Sequence, residues 1–141
     1  MKRKLASVIF LVTAISVGLG AFGHGSQWSK HVLPTVGGLD AGMVRLLALV
    51  WYWVSGTMLV FCVLLLWTWW RIGRGERNLF FVPWSIAAFY LVEGFYAAVD
   101  LGPFFLVFVV QAVLLGASAW TLRNTMPVGE REHVLAEVRG T

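Results

Sequence analysis

Apolar residues fall along this chain in four long, nearly unbroken runs and not in strict alternation. They extend from Leu5 to Phe22, Met43 to Trp70, Leu79 to Val99 and Pro103 to Leu122. Each is near or above the roughly 20 residues that a helix needs to cross a hydrocarbon layer of about 30 Å. Barrel strands alternate apolar and polar positions, so this pattern argues against a barrel. A helix satisfies its backbone polar groups within its own segment, which is why lipid selects it. The pattern predicts an all-α membrane protein with four transmembrane helices, 5–22, 43–70, 79–99 and 103–122, in an antiparallel bundle. Residues 1–141 read as one polytopic domain, with 123–141 as a short cytoplasmic tail.

The breaks between runs carry their own signals. Asp40 can cap the second helix, because its carboxylate can accept the orphan amides of the first turn. The linker RIGRGERN, residues 71–78, has two glycines and three arginines and suits a short turn. Asp100-Leu-Gly-Pro leaves almost no loop between the third and fourth helices. Gly102 frees the backbone, and Pro103 can open a helix where its missing amide costs nothing. Those two helices are expected to be antiparallel neighbours. The second run, at about 1.5 Å per residue, is longer than the membrane is thick, so it must tilt or project.

Composition reinforces the membrane reading: 59% of the 141 residues are hydrophobic and only 13% charged. A soluble domain of this length needs more polar residues to cover its surface. The net charge of +4 would suggest nucleic acid in a soluble chain. Here the bases cluster at the ends of apolar runs, so no nucleic-acid partner is expected, and lipid is. With the amino terminus inside, Lys2, Arg3, Lys4, Arg71, Arg74, Arg77, Arg123, Arg131 and Arg139 share one side, against Lys30 and Arg45 on the other. That asymmetry places both termini in the cytoplasm and the protein in the plasma membrane, the inner membrane in a bacterium. Trp67, Trp69, Trp70, Trp84 and Trp120 fall at the same interface as the bases. The first run, with Ala21-Phe22-Gly23 behind it, can also be read as a cleavable signal; a retained helix is the preferred reading, because its apolar stretch exceeds a typical signal core.

One acid lies inside a run: Glu93, in YLVEGFYAAVD. Counting helical rise inward from the run ends puts Glu93, Gln111, Tyr52, Thr13 and Ser16 at comparable depth. An ionised carboxylate in hydrocarbon is costly by several kcal/mol on insertion scales for similar groups. Glu93 is therefore expected to face the bundle interior or a protein contact, with Tyr90, Tyr96, Tyr52 or Gln111 as hydrogen-bond partners. It either fixes the packing of the second, third and fourth helices or binds a proton, cation or polar ligand; the structural role is preferred.

Other chemistry is sparse. His24 and His31 are weak metal candidates, since their spacing matches no tight ligand pattern, and no metal or cofactor is expected. Cys62 is single, so it forms no intramolecular disulfide. Ala14-x-x-x-Gly18, Gly94-x-x-x-Ala98 and Ala112-x-x-x-Gly116 are faces that let helices approach closely, within the chain or between chains. The tail residues Val134, Leu135 and Val138 make a short apolar stripe. No zinc-protease, phosphate-loop or nucleophile-elbow motif occurs, and no catalytic residue is assigned. The preferred function is a structural or accessory subunit of a membrane assembly, as a homo-oligomer or with another membrane protein. A proton- or cation-coupled small-solute transporter using Glu93 comes second, and an enzyme acting on a lipid or quinone third.

Overall fold

The computed structural model describes residues 2–125, and among these every regular element is helical. The reading of the 126–141 stripe lies outside the described residues. Helix α1 spans Lys2–Gln27 and runs through a wide π turn, Trp28–Val32, into the short α2, Leu33–Val36. Helix α3 spans Ala41–Gly73 and α4 spans Phe81–Asp100. A 3₁₀ turn, Pro103–Phe105, leads into α5, Leu106–Thr125. Four of these helical stretches are long and apolar enough to cross a membrane.

The residues expected to form the loop after the first run are mostly helical. Pro34 has no amide to return to the preceding turn, and its ring crowds the carbonyl four residues back. The π turn absorbs this: the Leu33 amide bonds to the Trp28 carbonyl, one residue further back than in an α-helix. Only residues 37–40 then separate α2 from α3. Asp40 closes that turn as the N-cap, accepting from the amides of Gly42 at 2.8 Å and Met43 at 3.2 Å. The 33 residues of α3 measure about 50 Å, so this hairpin extends past the hydrocarbon at one or both ends.

Packing follows narrow stripes. On α1, Ala6, Phe10, Thr13, Val17 and Ala21 are buried at spacings of three or four residues, the repeat of a helix face. On α3 the matching stripe is Ser55, Met58, Leu65, Thr68 and Ile72. Helix α1 lies between α3 and α5, and α4 packs mainly on α5. Helices α3 and α4 are consecutive yet touch little, chiefly where Phe61 meets Phe89 at 5.5 Å and Tyr90 at 6.2 Å between ring centroids.

The small-residue faces are used inside the chain. A Cβ on Gly18 would stand 2.7 Å from the Cys62 sulfur, so α1 and α3 meet closely there. A Cβ on Gly94 would stand 2.8 Å from the Cβ of Phe108 and 3.0 Å from the Val109 amide nitrogen, so α4 rests nearly on the α5 backbone. Gly102, at φ 124°, makes the tight α4–α5 turn in a conformation that disfavours other residues.

Candidate functional site

Three polar groups inside the bundle form a short ladder. Thr13 donates to the Ile9 carbonyl at 2.8 Å, and Ser16 donates to the Thr13 carbonyl at 2.8 Å. From α5, Gln111 Nε2 donates to Ser16 Oγ at 3.0 Å. The last of these bonds ties α1 to α5 through a side-chain donor that lipid cannot satisfy. The other amide atom, Gln111 Oε1, is buried with no partner among the described residues.

Glu93 stands apart from this ladder. It lies on the exposed side of α4 and makes no hydrogen bond or ion pair among the described residues. The expected inward-facing carboxylate is thus not present within one chain. The reason is the rotational phase of α4. Pro83, Ile86, Ala87, Tyr90 and Gly94 form its buried stripe, and the close approach at Gly94 fixes that stripe against α5. Glu93 falls on a neighbouring stripe, with Phe89, Tyr96 and Asp100 at the spacings of one helix face, all exposed.

The tyrosines expected around Glu93 divide the same way. Tyr90 is buried in a box of Phe61, Phe89 and Phe108, its hydroxyl without a partner among the described residues. Tyr96 is 68% exposed. Six residues turn a helix through about 600°, so these two flank Glu93 on opposite sides: Tyr96 shares its exposed face and Tyr90 belongs to the buried stripe. Tyr52, on α3, is exposed and packs toward Trp28, its ring centroid 6.4 Å away. A shallow apolar groove lined by Leu91, Val92, Phe95, Tyr96 and Val99 lies on the exposed surface of α4.

A second cluster sits at the α1–α3 end nearest Asp40. The His24 ring stacks on Trp51, centroids 4.2 Å apart and planes 13° from parallel. His24 Nδ1 lies 2.9 Å from Ser55 Oγ, and Trp51 Nε1 donates to the His24 carbonyl at 2.8 Å. Trp28 is buried beside Trp51 and Tyr52. His24 is therefore a packed, bonded residue, whereas His31 is exposed. No group of three or more metal-ligating side chains forms among the described residues. Trp51 and Ser55 gave no sequence signal except their position one turn apart on a long apolar helix.

At the opposite end, arginines and tryptophans interleave. The guanidinium of Arg74 lies 3.8 Å from the centre of the Trp70 ring, that of Arg71 5.3 Å from Trp67, and that of Arg123 4.9 Å from Trp84. Arg71 also pairs with Glu76. Trp69 Nε1 donates to Ser7 Oγ at 2.9 Å, joining the start of α1 to the end of α3. This end carries the bases of α1, of the α3–α4 turn and of the end of α5, as the charge asymmetry predicts for one membrane face.

Set against protein-family models, curated proteins and solved structures, the chain matches none. Its four long apolar helices define its class. It is a small multi-pass membrane protein, consistent with the plasma or inner membrane.

Proposed function

We propose that the protein is a subunit of a membrane assembly, docking through the face of α4 that carries Glu93 onto a transmembrane helix that presents a hydrogen-bond donor. One observation supports this most: an acid within a span is exposed on the bundle's outside and has no partner among the described residues. A carboxylate left in acyl chains raises the free energy of the inserted helix by several kcal/mol, whereas a neighbouring helix with a donor satisfies it. The close-approach glycines are already used within the bundle, so this polar group is the distinctive mark of the outer surface. By the asymmetry of basic residues we place the arginine-rich end and both termini in the cytoplasm.

A photoreactive residue in place of Tyr96, one turn from Glu93, tests the docking in native membranes. The expected result is a discrete protein adduct that Glu93→Leu abolishes while the variant still folds. An adduct at twice the chain's mass identifies a second copy, and any other mass identifies a different subunit. Adducts with lipid alone, from folded protein, would overturn the proposal.

A further inference from the structure

Where α1 begins and α3 and α5 end, a cavity of about 260 Å³ opens among the interleaved arginines and tryptophans. Arg3 and Arg74 both line it, and so do Ser7, Trp69, Ile72 and Leu122. Neither guanidinium has a carboxylate partner among the described residues, in contrast to Arg71, which Glu76 neutralises. Arg74 is held by the face of Trp70, which limits the directions in which it can point. Ser7 Oγ accepts from Trp69 and donates to no group among the described residues. Two arginines and a hydroxyl free to donate thus line one recess, and no acid lines it.

We propose that this recess binds the phosphate of an anionic phospholipid. Guanidinium groups recognise phosphate oxygens through charge-assisted hydrogen bonds, and basic pockets between transmembrane helices suit anionic headgroups. The apolar walls, Trp69, Ile72 and Leu122, then cover the glycerol and the first carbons of an acyl chain. A free phosphate has no use for those walls. The cavity is smaller than the roughly 300–1,000 Å³ of pockets that enclose drug-sized ligands, so it takes a headgroup and leaves the tails in the bilayer.

Native mass spectrometry of the full chain in detergent, titrated with phosphatidylglycerol or phosphatidylcholine, tests the site. One phosphatidylglycerol is expected to be retained in preference to phosphatidylcholine. The double variant Arg3→Gln/Arg74→Gln is expected to weaken retention by about tenfold or more. Lys30→Gln/Arg45→Gln removes the same charge at the far end and is expected to leave retention unchanged. Gly73→Leu keeps both arginines but fills the cavity wall, where a Cβ meets nothing within 4 Å, and is expected to displace the lipid without disturbing the helix. Equal weakening by the two charge-removing pairs would overturn the site, as would a folded Gly73→Leu protein with full retention. Displacement of the lipid by inorganic phosphate would overturn the lipid assignment.

Discussion

Gln111 and Glu93 sit on neighbouring antiparallel helices, at similar depth by helical rise, yet they meet opposite fates. Gln111 turns inward and donates to Ser16, so α1 and α5 share a polar contact that holds them in register. Glu93 turns outward and has no partner among the described residues. The difference lies less in the residues than in what fixes each helix's rotation. Helix α5 is packed from two sides, by α1 and by α4, whereas α4 leans on α5 and barely touches α3. A helix held along one line leaves most of its circumference free, and a polar group there can only be satisfied from outside. Inward polarity serves the fold; outward polarity is what the proposed association would use.

The largest expected effect comes from breaking the rotational lock. A side chain at Gly94 would press on Phe108 and on the Val109 backbone, and backbone cannot rotate away. Gly94→Leu is expected to destabilise the bundle by about 3 kcal/mol or more, read as a large drop in the thermal midpoint in detergent. If α4 then turned, Glu93 would lose its outward position, and crosslinking from Tyr96 would change with it. A midpoint within error of wild type would mean that Gly94 does not set the phase.

Substituting the two polar residues themselves comes next. Glu93→Leu removes a charge-bearing group from the lipid-facing side and is expected to aid insertion of α4 by about 2–3 kcal/mol, the scale seen for other charged side chains near a helix centre. It should leave the melting of the isolated chain unchanged or higher while abolishing association. Gln111→Leu should do the reverse. It severs the α1–α5 bond and lowers the midpoint by the equivalent of about 0.6–1.7 kcal/mol, without affecting adducts at Tyr96. If both variants lowered stability alike, the contrast between inward and outward polarity would fail.

Much of the frame was legible in the sequence. Hydropathy runs located the four spans, Asp40 was recognisable as a cap, and Gly102-Pro103 marked the tight turn. Of the layer read from depth, Glu93, Gln111, Tyr52, Thr13 and Ser16, Gln111 and Ser16 bond directly, whereas Glu93 and Tyr52 are exposed. Rotation was not legible, because the polar residues of α4, with Tyr90 on one side of Glu93 and Tyr96 on the other, do not reveal in a membrane helix which face packs. Tyr90 and Tyr96 looked equivalent around Glu93 until Gly94 settled which of them is buried. The helical stretch through Trp28 and Pro34 was hidden for another reason. Glycine, serine and proline punctuate soluble loops, but a membrane helix tolerates them when a π turn or a neighbour rebonds the freed groups. The His24, Trp51 and Ser55 cluster depends on that stretch and so was hidden as well.

The smallest expected effect probes the border between the two regions, at Tyr90. Its ring is enclosed by Phe61, Phe89 and Phe108, and its hydroxyl is buried with no acceptor among the described residues. A buried donor without a partner opposes folding, so deleting it relieves that penalty while the ring contacts persist. Tyr90→Phe is accordingly expected to leave the thermal midpoint unchanged or raise it by the equivalent of up to about 1 kcal/mol. A drop of that size would show that the hydroxyl has an acceptor in the folded protein. Gln111 Oε1, also buried and unpartnered, is the first group to examine in that case. The double variant Tyr90→Phe/Gln111→Leu would then lose less than the sum of the two single changes, extending the inward polar network onto α4. Additive losses would instead keep α4 outside it, with Glu93 as that helix's polar contribution to an external contact.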